Sequence, residues 1–565
     1  MFLRVFSARA LHSGLKISER RGGMPGFLML MTTLLSLSAC STSDSSRLKE
    51  SRNFYLQDDF AHAEASLYTP EVFKYSQNRL QHFYLLSSLA MSQGEFEKAN
   101  YFLNRARETA NSVRSASGVF EWFSSDYRSN PLEYSYIHSM LVMSYTLLAE
   151  AGRTPAWNTP EIKDEKGNTL VDAQIHVART FSAKEVAELK QKARAELLAW
   201  DSFLENLKRT YPEQDYYKED LWARVLASYL HGVSSDNNEK RTAELLADDA
   251  RRVFTQTYSA YPSAKSNGEQ VSGLIDRLKK RAQNKQAFDT MLVLEAGVIG
   301  KYKIKRFHLG LSTLFKNIQD PGLRSMMEQI GIQALFNAAP EFGLVLFSGG
   351  LAGAVTSGDE DDENEGPPRF FSDAVDRSFG FEIRFPTLVF PPADTRIKLT
   401  LIQPGKTASD FSLPIVSPLQ EMVATELKQR EQKEMFTRAI RIGSQYLGIL
   451  IPAIQAYKAA DREGNVFKKL AILAGYYIGK KAIDNANQPD LRSWNYLPQV
   501  IAAEMIPLPP GEYDAKVTLE NQFGRDERSV GKVTLGNPAR PIIRARVGNV
   551  PILNQREAEN FIPVQ

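Results

Sequence analysis

The sequence predicts an α+β multidomain chain: an N-terminal array of helical hairpins, then a C-terminal antiparallel β domain with a packed helical hairpin. Three observations predict it. Apolar residues recur at three- and four-residue spacing from about Arg47 to Tyr261 and break at Gly or Pro, as amphipathic helices do. Beyond Met291 the period drops to two, with Tyr302, Ile304 and Arg306 alternating against Lys303, Lys305 and Phe307. Between the later β segments, residues 417–458 and 466–485 read as two long helices joined at Glu463-Gly464-Asn465. The expected divisions are 1–39, 40–46, 47–265, 286–410 with a disordered acidic loop at 358–368, 411–488, 489–548 and a tail at 549–565.

The first division is a leader. Residues 27–37 form an uncharged, mostly apolar run behind Lys16, Arg20 and Arg21, too short for the roughly 20 residues a spanning helix needs. The ending Leu37-Ser38-Ala39-Cys40 matches a bacterial lipobox, with small residues before a cysteine that carries diacylglycerol and is then acylated. Cleavage there leaves 526 of the 565 residues, and the product is the same whether the chain starts at Met1 or Met24. Ser41 in place of aspartate directs such a lipoprotein to the outer membrane with its body in the periplasm. Residues 40–46 are a lipidated tether rich in serine and threonine.

Charge and cysteine exclude whole classes. Removing the leader's +4 from the formal +3 leaves about −1, so no basic field remains for nucleic acid. Cys40 is the only cysteine, so with it lipidated no thiol is left for a disulfide, a zinc site or a nucleophile.

In chain order, residues 82–109 carry the sharpest pattern. Phe83, Leu86, Ser87, Ala90, Gly94, Phe96, Ala99, Leu103 and Ala106 resemble a tetratricopeptide repeat: small residues let two helices approach, Gly94 permits the turn, and Phe96 and Leu103 fill the space between hairpins. Phe60, Ala63 and Leu67 repeat part of it 36 residues earlier. Further hairpins are expected at 132–151 and 216–258, with an insertion at 157–177 that reads as a small β-hairpin. Strands are expected at 291–295, 301–307, 381–390 and 395–402, and a helix at 323–339. Glycine-rich residues 342–358 read as buried strand and tight turns, and the acids of 359–365 as a surface loop. In the 466–485 helix, Ala471, Gly475 and Gly479 sit at four-residue spacing, which suits close helix contact, and Lys468, Lys469, Lys480 and Lys481 bracket its uncharged stretch. The expectation is a hairpin buried against the β domain. Short strands at 499–506, 513–519, 529–535 and 542–546 then suggest an antiparallel sheet or sandwich.

Asn130-Pro131-Leu132-Glu133, Leu294-Glu295-Ala296-Gly297 and above all Asp490, Arg492, Ser493, Trp494, Leu497 and Pro498 carry a wider resemblance. With these residues the chain resembles an uncharacterised family of bacterial lipoproteins with a tetratricopeptide-like front half and a β-rich rear half. It departs from that family's pattern at Pro489 and Leu491. The resemblance brings no activity with it. Physically, Asp490 and Arg492 can pair while Trp494 is buried where helix meets strand.

Enzymatic chemistry is not expected. The seven histidines are scattered, Gly405-Lys406-Thr407 lacks the first glycine of a phosphate loop, and Ser348 lacks the first glycine of a nucleophile elbow. No cofactor or metal is expected. The leading expectation is a lipid-anchored periplasmic scaffold or adaptor that holds a partner protein in the groove of its helical repeats, in cell-envelope assembly. The alternative is an oligomeric membrane-associated subunit or carrier that uses the 443–486 hairpin. The sequence names neither the partner nor the oligomeric state.

Overall fold

A computed structural model describes residues 46–73, 78–115, 127, 129–163, 166–210, 219–233, 236–283, 290–309, 381–388, 395–535, 542–548 and 550. The leader, Leu37 to Cys40, the helix expected at 323–339, the glycine-rich 342–358 stretch and the acidic loop lie outside the described residues, as does most of the tail. The chain divides into two bodies. The larger comprises Thr42–His308, Glu382–Ile440 and Pro489–Gln565; of the smaller, Arg441–Gln488 is described.

The larger body begins with helices α1 Ser46–Leu56, α2 Phe60–Ala65, α3 Pro70–Phe73, α4 Arg79–Ser92 and α5 Phe96–Ser115. Gly94 turns the chain between α4 and α5 at φ +75°, a conformation that costs a residue with a Cβ roughly 1–2 kcal/mol. Leu86, Ser87, Ala90, Ala99, Leu103 and Ala106 are all buried in this hairpin, while Phe83 and Phe96 are half-buried at its edge. Helix α6, Pro131–Ala151, starts on a capping box in which Asn130 accepts from the Glu133 backbone and Glu133 accepts from that of Asn130.

The hairpin expected at 132–151 is instead this single helix. Its partner is α7, Ala183–Thr210, which follows the insertion. The insertion is three nested two-stranded antiparallel pairs: β1 Arg153–Thr154 with β6 Arg179–Thr180, β2 Trp157–Thr159 with β5 Gln174–His176, and β3 Ile162–Lys163 with β4 Thr169–Val171. Helices α8 Leu221–Gly232 and α9 Asn237–Gln256 form the next hairpin. After α10 Pro262–Ser266 the helical region runs through α11, Gly268–Gln283, well past the expected limit of residue 265.

Strands follow: β7 Thr290–Ala296, β8 Lys303–Leu309, β9 Phe381–Thr387, β10 Arg396–Ile402, β11 Ser409–Ser412 and β12 Ile415–Ser417. Of these, β11 straddles the expected boundary at 411 and β12 lies inside the division expected to be a helical hairpin. That helix, α12, spans Leu419–Arg462, and α13 spans Val466–Ala486. The chain closes with β13 Val500–Ile506, β14 Gly511–Asn521, β15 Gly524–Leu535 and β16 Ile542–Val547.

The expected antiparallel segment 489–548 is split between two sheets. One sheet runs β11-β10-β14-β15 and is antiparallel throughout. The other runs β12-β13-β7-β16, where β16 lies parallel to β7, contrary to expectation. Their apolar faces meet: Leu292, Leu294, Ala502 and Ala545 of the second sheet share a core with Ile397, Leu399, Val517 and Leu519 of the first. The opposite face of the second sheet, with Met291, Val293, Ile501 and Ala503, joins the core of the helices. Strands β7 and β13 are therefore buried on both faces, which is why each reads as a nearly unbroken apolar run. The helical and β divisions expected to be separate domains form one body of three layers, helices on sheet on sheet.

In the smaller body, Asn465 caps α13 by accepting from the Lys468 backbone at 3.0 Å, Tyr446 donates to Asp484, and Asn487 donates to Gln445 at 2.8 Å. The expected row of small residues does not form one contact. A Cβ on Gly479 would lie 3.4 Å from Ile449 of α12, whereas Ala471 is exposed.

Candidate functional site

Pro489 to Pro498 is the segment that the sequence marks most strongly, and it lies against the first helices. Asp490 and Arg492 pair at 2.7 Å, with the Asp490 carboxylate also accepting from the Arg492 backbone at 2.9 Å, which closes a tight turn. The Arg492 guanidinium donates to Asn78 at 2.8 Å and lies 5.6 Å over the Tyr127 ring. Gln81 of α4 donates to the Ser493 carbonyl at 2.9 Å.

Trp494 is completely buried. Its ring stacks on Tyr84 at 4.2 Å and meets Tyr136 edge-on at 5.0 Å, and its indole N–H donates to Ser88 at 2.8 Å. Its backbone N–H donates to the Glu133 carboxylate at 2.8 Å. Two residues on, Tyr496 stacks on Tyr55 at 4.0 Å and shares a hydrogen bond with Ser51. The Leu497 carbonyl accepts from Ile299 at 2.8 Å, and Pro498 is buried.

Glu133 is the hub of this clasp. Besides Trp494, its carboxylate accepts from the Tyr127 hydroxyl at 2.6 Å and the Asn130 backbone at 3.1 Å. Burial outweighs those bonds and pushes its pKa up to about 7. Glu426 of α12 adds a smaller upward push to it and is itself raised by burial. Both Glu426 oxygens are buried with no hydrogen-bond donor among the described residues. Burial raises Tyr127 and Tyr302 as well, reinforced by Glu133. Every polar group of the Trp494 segment named here is bonded within the chain, so the arrangement is a fastening and has the chemistry of one.

A second buried polar group lies between α5, α6 and α7. His138 and Glu196 meet at 2.6 Å, and Arg107 reaches Glu196 at 2.7 Å. Trp222 of α8 donates to Ser139 of α6 at 2.8 Å. A third joins strand to helix: Arg544 pairs with Glu295 at 2.6 Å and donates to the Met91 carbonyl, while Arg546 donates to Tyr55 at 3.0 Å. Sequence reading missed these pairings because their members stand far apart in the chain. Among the described residues no group of three or more His, Cys, Asp or Glu side chains could hold a metal ion.

Part of the surface of helices α4, α6 and α8 is covered by the chain itself. Tyr84, Ser88 and Tyr136 of α4 and α6 receive Trp494, and the Tyr229 hydroxyl of α8 accepts from the Met291 backbone of β7 at 3.1 Å.

Exposed apolar side chains stand singly on the larger body, as at Leu198, Leu245, Ile175 and Val177, and gather on one helix of the smaller. On α13, Phe467 is 86% exposed, Val466 63%, Tyr477 60% and Leu470 52%, so this helix presents an open apolar face. No helix among the described residues is long and apolar enough to cross a membrane. No family model, no curated protein and no solved structure matches the chain.

Proposed function

We propose that the chain is a lipid-anchored scaffold of the bacterial envelope, held at the outer membrane through Cys40 with its body in the periplasm. Its tetratricopeptide-like hairpins serve as an internal frame, and the hairpin of α12 and α13 is the element that docks to the surroundings. The observation that carries this reading is the contrast between the two surfaces. Part of the surface of α4, α6 and α8 is covered by Trp494 and β7, while α13 leaves Phe467 and its neighbours in solvent. A soluble body rarely keeps a row of large apolar side chains open unless something covers it. The lone cysteine behind Leu37-Ser38-Ala39 supports the anchor.

Palmitate labelling and fractionation in cells test both parts. Wild type should incorporate label, and Cys40→Ser should not. Cys40→Ser should remain partly in the membrane fraction, and adding Phe467→Glu should release it. Label in the Cys40→Ser chain would refute the anchor. Retention unchanged by Phe467→Glu, or complete release of the single variant, would refute the docking element.

A further inference from the structure

We propose that the open face of α13 docks onto an anionic phospholipid surface, with the helix lying in the plane of the interface. This deepens the reading above and rests on it. A helix advances about 100° per residue, so Val466, Phe467, Leu470, Ala474, Tyr477 and Ile478 fall within one arc, all of them exposed. From Val466 to Ile478 these members are aliphatic and aromatic, exposed Lys481 follows in the same arc, and Tyr477 has the amphipathic shape that suits the boundary between acyl chains and headgroups.

Charge selects the occupant. Between Gly464 and Asp484 the sequence holds Lys468, Lys469, Lys480 and Lys481 and no acidic residue. Lys468 reaches Glu463 at 2.8 Å, an exposed pair of little consequence. Two copies laid face to face along α13 would bring like charges together. A surface of phosphate headgroups instead meets the apolar arc with acyl chains and the lysines with negative charge. The arc lacks the length and uniform hydrophobicity of a span, which leaves the interfacial pose.

The test uses the full mature chain with Cys40→Ser, so that no acyl chain contributes. Vesicles of phosphatidylglycerol and phosphatidylethanolamine in equal parts are compared with vesicles of phosphatidylcholine alone, by co-sedimentation. Binding should require the anionic vesicles and weaken about tenfold in Phe467→Glu/Leu470→Glu and in Lys480→Glu/Lys481→Glu. These side chains are exposed or only half-buried, so circular dichroism should be unchanged. With Cys40 replaced, Tyr477→Cys supplies the only thiol. A solvatochromic dye there should shift to the blue on anionic vesicles.

Absence of binding, equal binding to both vesicles, or binding indifferent to the substitutions would overturn the proposal. So would self-association without lipid that Phe467→Glu abolishes, which would assign the face to a second copy. If Phe467 governs retention in cells yet no vesicle binds, the docking element stands and its partner is a protein. Palmitate labelling reports on the anchor independently of all these outcomes.

Discussion

Two aromatic residues of similar size have opposite roles here. Trp494 is completely buried between Tyr84 and Tyr136, so Trp494→Ala should lower stability by about 3–5 kcal/mol in urea titration. Phe467→Ala, at an 86% exposed site, should stay within about 0.5 kcal/mol. Glu133 makes the clasp sensitive to pH. Its folded pKa, about 7, lies above the ordinary 4.5, so the folded state holds the proton more tightly than the unfolded chain. Stability from this group is therefore fully present below 4.5 and is lost as pH rises through 7, a change of order 3 kcal/mol at most. Burial raises Glu426 in the same direction. Glu133→Gln should flatten the fall between pH 5 and 8 in urea titrations at fixed temperature; an unchanged slope would remove Glu133 as its cause.

At the scale of elements, two glycines separate local strain from packing. Gly94 and Gly297 both have positive φ, but a Cβ on Gly94 meets open space while one on Gly297 lies 2.8 Å from Gln499. Gly94→Ala should cost about 1 kcal/mol and Gly297→Ala about 2–3 kcal/mol, read as a larger drop in melting temperature. The α4 and α5 hairpin was legible in the sequence because everything that specifies it lies within one turn or one repeat: Gly94 for the bend, Ala90 and Ala99 for close approach. The pairing of α6 with α7 was not, because the inserted strand pairs separate them. Strands β11 and β12 are too short for a period to show. The parallel placement of β16 depends on a partner about 250 residues earlier, and no local pattern encodes that. At the clasp, the Asp490 and Arg492 pair and a buried Trp494 could be anticipated, but the helices receiving them could not. The lysines around α13 were visible, whereas the openness of its face follows from packing.

The larger body should unfold as one cooperative object, because its sheet of β12, β13, β7 and β16 gives one face to the helices and the other to the second sheet. A chain ended before Pro489 lacks Trp494, β13 and β16, and so exposes the inner faces of α4, α6 and β7. Such a truncation should lose hydrogen-exchange protection in α6 even though α6 itself is intact; α6 still protected to the full-length level would show that the helices fold alone. In the full-length chain, α4, α6, β7 and β13 should instead share one opening free energy.

The pairing of β7 also sets an order in time. Both of its neighbours, Val500–Ile506 and Ile542–Val547, are made more than 200 residues after it. During synthesis β7 therefore emerges early and waits, both edges unpaired, until those later strands arrive. The larger body cannot finish folding from its front end, and a holding chaperone would find β7 as its natural client.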